Sequence, residues 1–200
     1  MAEAKLDTRR RREQIAAAAL ELVASQGVRR LSVAAVARRV GLVPSGIYRH
    51  FRSKDAMLDA VLDLLEQKML AFVSAARQEA ADSLARLQSL LMHHIRFIRE
   101  GRAFPRIVFS DEVFIGHPQR KTQVRRIVTA YLGQVEQLVR EGQQQGTIRK
   151  DLLPRTVAVM FLGMIVPAGV LWHLTEGGFN VTQHAGRAWR MFRTAIASRR

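Results

Sequence analysis

Apolar residues recur along this chain at helical spacing, and no segment alternates apolar and polar clearly enough to read as a strand. The first helix is expected to start near Thr8, a residue able to cap it. Ile15, Ala19, Leu22 and Val23 then share one face, and Gly27 stands just past its end. Ser32 caps a short second helix striped by Val33, Val36, Ala37 and Val40, and Gly41 ends it. Pro44 suits the first turn of a third helix whose inner face is Ile47 and Phe51. Ser53 caps a long fourth helix, with Asp55 in its first turn and Met57, Leu58, Val61, Leu62 and Leu65 facing inward.

The same period continues downstream. Leu84, Leu87, Leu91, Ile95 and Ile98 mark a fifth helix from about Asp82, broken at Gly101. A sixth segment spans roughly Ala103–Ile115. After Gly116 and Pro118, a seventh helix carries Val124, Ile127, Val128, Tyr131, Val135 and Leu138. The polar, glutamine-rich stretch Gly142–Gly146 reads as a fraying end. Pro154 opens an eighth helix to about Leu174, Gly177–Gly178 is a turn, and Ala185, Trp189, Phe192 and Ile196 line a ninth. The fold class is therefore all-α, with about nine helices.

Composition narrows the class. Of 200 residues 48% are hydrophobic, enough for a core, and none is cysteine. Disulfides and cysteine-ligated metals are excluded, which suits a reducing cytoplasm. Met1 to Arg12 has no apolar run and does not read as a signal peptide. The longest apolar run, Val157 to Trp172, is 16 residues and contains Pro167. A spanning helix wants about 20 apolar residues, so a buried helix is the better reading and no membrane partner is expected. Net charge is +15, from 32 Lys and Arg against 17 Asp and Glu, so polyanions are favoured partners. The first 60 residues hold 12 basic and 6 acidic groups and the remaining 140 hold 20 and 11, so charge alone does not locate a site.

The site comes from geometry. Two short helices joined by a glycine turn, Val40–Val43, make a helix-turn-helix, which sets its second helix into the DNA major groove. The exposed positions of that second helix are Pro44, Ser45, Gly46, Tyr48, Arg49 and His50. Small residues come first and allow close backbone approach to base edges; the donors follow and can reach phosphates or bases. Ser53 and Lys54 place free backbone N–H groups and a cation at a helix N-terminus, a seat for phosphate. Arg9–Arg12 reads either as an arm reaching phosphates or the minor groove or as a solvated charged terminus.

The run Leu31-Ser32-Val33-Ala34-Ala35-Val36-Ala37, then Gly41-Leu42, then Gly46-Ile47-Tyr48-Arg49-His50-Phe51-Arg52-Ser53-Lys54 closely resembles the tetracycline-repressor (TetR-like) family. The likeness covers about residues 8–62; beyond it only the helix count matches. The resemblance implies a DNA-binding domain over residues 1–52 and a ligand-binding and dimerisation domain over 53–200. It implies a homodimer on a palindromic double-stranded DNA operator, usually a repressor, released by a small-molecule effector. Carried over by position, Ser32, Tyr48, His50 and Lys54 would hold phosphates, and Pro44, Ser45, Gly46 and Arg49 would face bases. Family members often place a larger polar or basic residue near Pro44–Ser45; here readout leans on Arg49, the backbone and DNA shape.

The eighth helix is apolar all round and must be covered on both sides. One side can pack the core and the other a partner chain, with Phe161, Gly169, Trp189, Phe192 and Ile196 as dimer-interface candidates. Pocket candidates are Phe97, Phe104, Ile107, Met160, Met164 and Trp172, with His94 and His173 as polar anchors; the same residues are equally ordinary core filling. No HExxH spacing supports a metal, and no motif supports a cofactor or an enzyme. Two rival readings remain: a DNA-binding scaffold without an inducer, and a non-specific basic DNA-binding protein.

Overall fold

The computed structural model of the chain describes residues 2–100, 110–114 and 117–198. Its helices are α1 (Ala2–Gln26), α2 (Val33–Val40), α3 (Pro44–Tyr48), α4 (Lys54–Glu79), α5 (Ser83–Arg99), α6 (Asp111–Phe114), α7 (Pro118–Gln144), α8 (Pro154–Leu174) and α9 (Val181–Ile196), with a 3-10 turn at Val28–Arg30. The all-α expectation holds, and the helix count is close to nine. Among the described residues the only bridge of β type joins Ile148 to Ala197.

Cap chemistry sets several of these starts. Ser32 accepts from the Ala35 N–H at 3.1 Å, Ser53 from Ala56 at 3.1 Å, Asp82 from Ala85 at 3.0 Å and Asn180 from Gln183 at 3.0 Å. Each satisfies a backbone donor that has no partner inside its helix. Two expectations change. α1 begins at Ala2 rather than near Thr8, because Ala2 to Leu6 are themselves good helix formers. The glutamine-rich stretch does not fray: α7 runs to Gln144, and its amides hold the following turn. Gln143 Nε2 donates to the Arg149 and Leu152 carbonyls at 2.9 and 2.8 Å, and Gln145 Oε1 accepts from the Ser83 N–H at 3.2 Å. Of the expected sixth segment, α6 is described; residues 103–109 and 115 lie outside the described residues.

The chain divides into two compact units. The first gathers Met1–Gln67 with Arg106–Val124, and the second gathers Lys68–Pro105 with Arg125–Arg200. In the first unit, Ile15, Ala19 and Val23 of α1, Val36 and Ala37 of α2, Ile47 of α3 and Phe51 form the core with Met57, Leu58, Val61, Leu62 and Leu65 of α4. In the second unit α5 packs against α8 and α9, which pack on each other. Phe161 of α8 meets Phe192 of α9 with ring centroids 6.0 Å apart.

The second unit buries one polar pair. His94 Nε2 and the Tyr131 hydroxyl are hydrogen-bonded at 2.7 Å, and both residues are buried. Phe72 lies edge-on to His94 and Phe97 and stacks on His93. Burial, with the neighbouring His93 adding to it, pushes the His94 imidazole down to about 3; burial pushes the Tyr131 phenol up. Both are therefore neutral at pH 7, and each satisfies the other.

Candidate nucleic-acid interface

The first unit builds the helix-turn-helix that the spacing predicts. Gly41 closes α2 at φ 70°, a left-handed conformation that a side chain would strain. This bend brings the Gly41 and Leu42 N–H groups onto the Ala37 carbonyl and turns the chain toward α3. Pro44 sits in the first turn of α3, where its missing N–H costs nothing. Ile47 and Phe51 anchor the inner side, leaving Pro44, Ser45, Tyr48 and Arg49 exposed. Gly46 is half-buried, and a Cβ there would stand 3.6 Å from Leu42 Cβ, an ordinary van der Waals contact, so packing against Leu42 does not itself require glycine.

Each phosphate candidate can still donate. The exposed Ser32 hydroxyl accepts its cap bond through a lone pair and keeps its proton. Tyr48 is 54% exposed. Lys54 Nζ approaches the Arg29 carbonyl at 3.4 Å, which uses one of its three donors. His50 Nδ1 is buried without a partner. A buried N–H lacking an acceptor is costly, which favours the tautomer with its proton on Nε2.

Val43, which the sequence reading did not single out, and Arg12 of the basic run also bear on this edge. Val43 is the N-cap of α3, makes no side-chain cap bond and is 66% exposed. Its signal was a β-branched apolar residue where a capping side chain is usual. Arg12 belongs to α1; its guanidinium lies 4.4 Å from the Phe51 ring centroid and donates to the His50 carbonyl. So the basic run at residues 9–12 is helical, and part of it braces α3. Arg9 pairs within α1 with Glu13 at 3.7 Å. Arg39 of α2 grips Glu21 of α1 through two bonds of 2.9 and 2.7 Å.

The remaining candidates fall differently. Phe161, Gly169, Trp189, Phe192 and Ile196, expected at a dimer interface, are buried within the chain. The outer face of α8 and α9 instead carries Val159, Met160, Gly163, Val170, Leu171, Leu174 and Met191, with Leu174 72% and Met191 76% exposed. A helix that is apolar all round gives no sequence cue to which side turns inward.

The pocket candidates are not gathered around one described cavity. His94 and Phe97 are buried beside Phe72; Met160 is 55% exposed on the outer face; Met164 is half-buried and His173 is exposed. Phe104 and Ile107 lie outside the described residues. Trp172 lines an open cavity of ≈ 550 Å³ with Arg99, Asn180, Val181, Thr182 and Gln183. Among the described residues no group of three or more His, Asp or Glu could hold a metal ion.

A capped helix-turn-helix with an exposed edge, followed by an all-helical unit, defines a DNA-binding regulator of the bacterial helix-turn-helix class. The family model for bacterial regulatory proteins of the tetR family matches residues 15–61, and that for the tetracyclin repressor-like C-terminal domain matches residues 80–196. The chain belongs to the tetR family of bacterial regulatory proteins. The nucleoid occlusion factor SlmA of Marinobacter nauticus is 30% identical over 148 residues, 74% of each chain. A TetR transcriptional regulator from Chloroflexus aurantiacus shares the fold at TM-score 0.81 and 19% identity, over 96% of this chain and 99% of that one. The FadR regulator of Bacillus subtilis, solved in complex with stearoyl-CoA, matches at TM-score 0.75 and 22% identity, over 92% and 98%.

Proposed function

We propose that this chain is a cytoplasmic, homodimeric repressor, not an enzyme, that binds a palindromic operator and is released by a small, largely apolar ligand. The observation that carries the reading is the frame of Ser32, Tyr48, His50 and Lys54 around the exposed edge Pro44, Ser45 and Arg49. The frame would hold phosphates, and Arg49 would read a base edge. Val43 offers an apolar contact suited to a thymine methyl.

The uncovered apolar face of α8 and α9 supports pairing of two copies. Two recognition helices must then meet successive major grooves about 34 Å apart, so a small ligand-driven change in their separation costs affinity. The stearoyl-CoA complex of the Bacillus subtilis FadR supports a ligand with an acyl chain. Trp172 with Arg99 would supply an apolar wall and a cation for such a molecule. The likeness to SlmA favours a second reading, DNA binding without an inducer.

The test is selection of bound sequences from random duplexes, followed by titration of the selected palindrome and a scrambled duplex across a salt series. Thermal shifts with a panel of acyl-CoA esters follow. Tighter binding of the palindrome at every salt concentration and stabilisation by one ester are expected. Equal affinity for both duplexes refutes the operator, and no stabilisation by any ester favours the second reading.

A further inference from the structure

The α4 N-terminus poses an electrostatic problem. Asp55 follows Lys54 directly in the first turn, and Asp59 stands one turn further on the same face. An acid there favours the helix dipole but repels a phosphate brought to the same end. The two side chains are 58% and 50% exposed, so their charge faces the surroundings.

Both are held from α7. Arg120 Nη2 donates to Asp55 Oδ1 at 2.7 Å and Arg120 Nε to Asp59 Oδ1 at 2.8 Å. The guanidinium itself is buried beneath the carboxylates. It is shielded from a ligand, so what it does to DNA it does through them. His117 Nε2 stands 3.9 Å from Asp55 Oδ1, and Gln123 donates to Asp63 at 2.7 Å, extending the seam along α4. The Arg120 hydrogen bond holds the Asp55 carboxyl below its ordinary range against opposing desolvation, so protonation does not relieve the charge at neutral pH.

We propose that Arg120 is a positioning residue for DNA binding, which masks the Asp55 and Asp59 carboxylates so that Lys54 and the Ser53-capped turn can receive a phosphate. This rests on the reading of that turn as a phosphate seat. Arg120→Met leaves two unmasked carboxylates at the seat. Adding Asp55→Asn removes one of them, whereas adding Asp63→Asn makes the same change in net charge further along the helix.

Anisotropy titrations of the selected duplex across a salt series, with thermal melts of every variant, test this. Arg120→Met should bind roughly tenfold more weakly at low salt, with a smaller deficit at high salt. Asp55→Asn in that background should restore most of the affinity, and Asp63→Asn should not. If Arg120→Met does not fold, the triple variant Arg120→Met/Asp55→Asn/Asp59→Asn carries the test, because it removes Arg120 together with both carboxylates that it pairs. Folded and binding like the wild type, it supports the masking role; folded and still weak, it overturns it. Equal recovery from Asp63→Asn also overturns it, by reducing the effect to net charge. A wild type that binds no duplex sinks the phosphate seat and the proposal together. A wild type that binds while folded Arg120→Met binds equally well removes the Arg120 role alone.

Discussion

His94 should make this protein sensitive to mild acid. Its imidazole is buried, bonded to the Tyr131 hydroxyl and pushed down to about 3, whereas an unfolded chain protonates histidine near pH 6.5. As pH falls below 6.5 the unfolded state takes up a proton that the folded state refuses, so stability falls with pH across the window from 6.5 toward 3. The loss grows by up to 1.36 kcal/mol per pH unit, and between pH 7 and pH 5 it amounts to about 2 kcal/mol. The carboxylates with lowered values, Asp55, Glu79 and Asp151, start from 3.8 to 4.5, so their contribution is lost mainly below about pH 5. Urea unfolding at pH 7, 6 and 5 should be run on the wild type and His94→Gln, whose amide can still bond Tyr131 but does not titrate. The wild type should lose about 2 kcal/mol more than the variant over that range. Equal losses would refute the assignment of acid sensitivity to His94.

Three further outcomes are expected. Gly142→Ala places a Cβ 2.5 Å from Ile148 Cδ1, 2.7 Å from its Cγ1 and 3.0 Å from Ser83 Cβ. In this packed corner it should cost about 1–3 kcal/mol, read as a lower urea midpoint with unchanged slope. Ser32→Ala removes the α2 cap and should cost about 1 kcal/mol by the same assay, while also weakening DNA binding through the lost hydroxyl donor. Tyr48→Ala should weaken binding to all duplexes alike, whereas Arg49→Ala should also flatten the profile of selected sequences; an unchanged profile would remove Arg49 from base readout.

Much of the DNA-binding edge was legible in the sequence because its determinants are local. Ser32, Gly41, Pro44 and Ser53 act on backbone groups within a few residues of themselves, and their chemistry reads directly from spacing. The roles of Arg12 and the glutamines were not legible. A basic run and a polar tail look solvated until the carbonyls of His50, Arg149 and Leu152 are brought beside them.

The sequence alone determined that the chain is helical, where a helix-turn-helix lies and which residues cap and turn it. Helical period and cap chemistry are encoded over three to five residues, so no distant partner is needed to read them. Tertiary structure decided which side of α8 stays uncovered, that His94 is satisfied by Tyr131, and that Arg120 faces Asp59 and Asp55, 61 and 65 residues away. An apolar helix packs equally well on any face until its neighbours choose one. A buried charge has no assigned partner until folding brings the opposite charge within bonding distance.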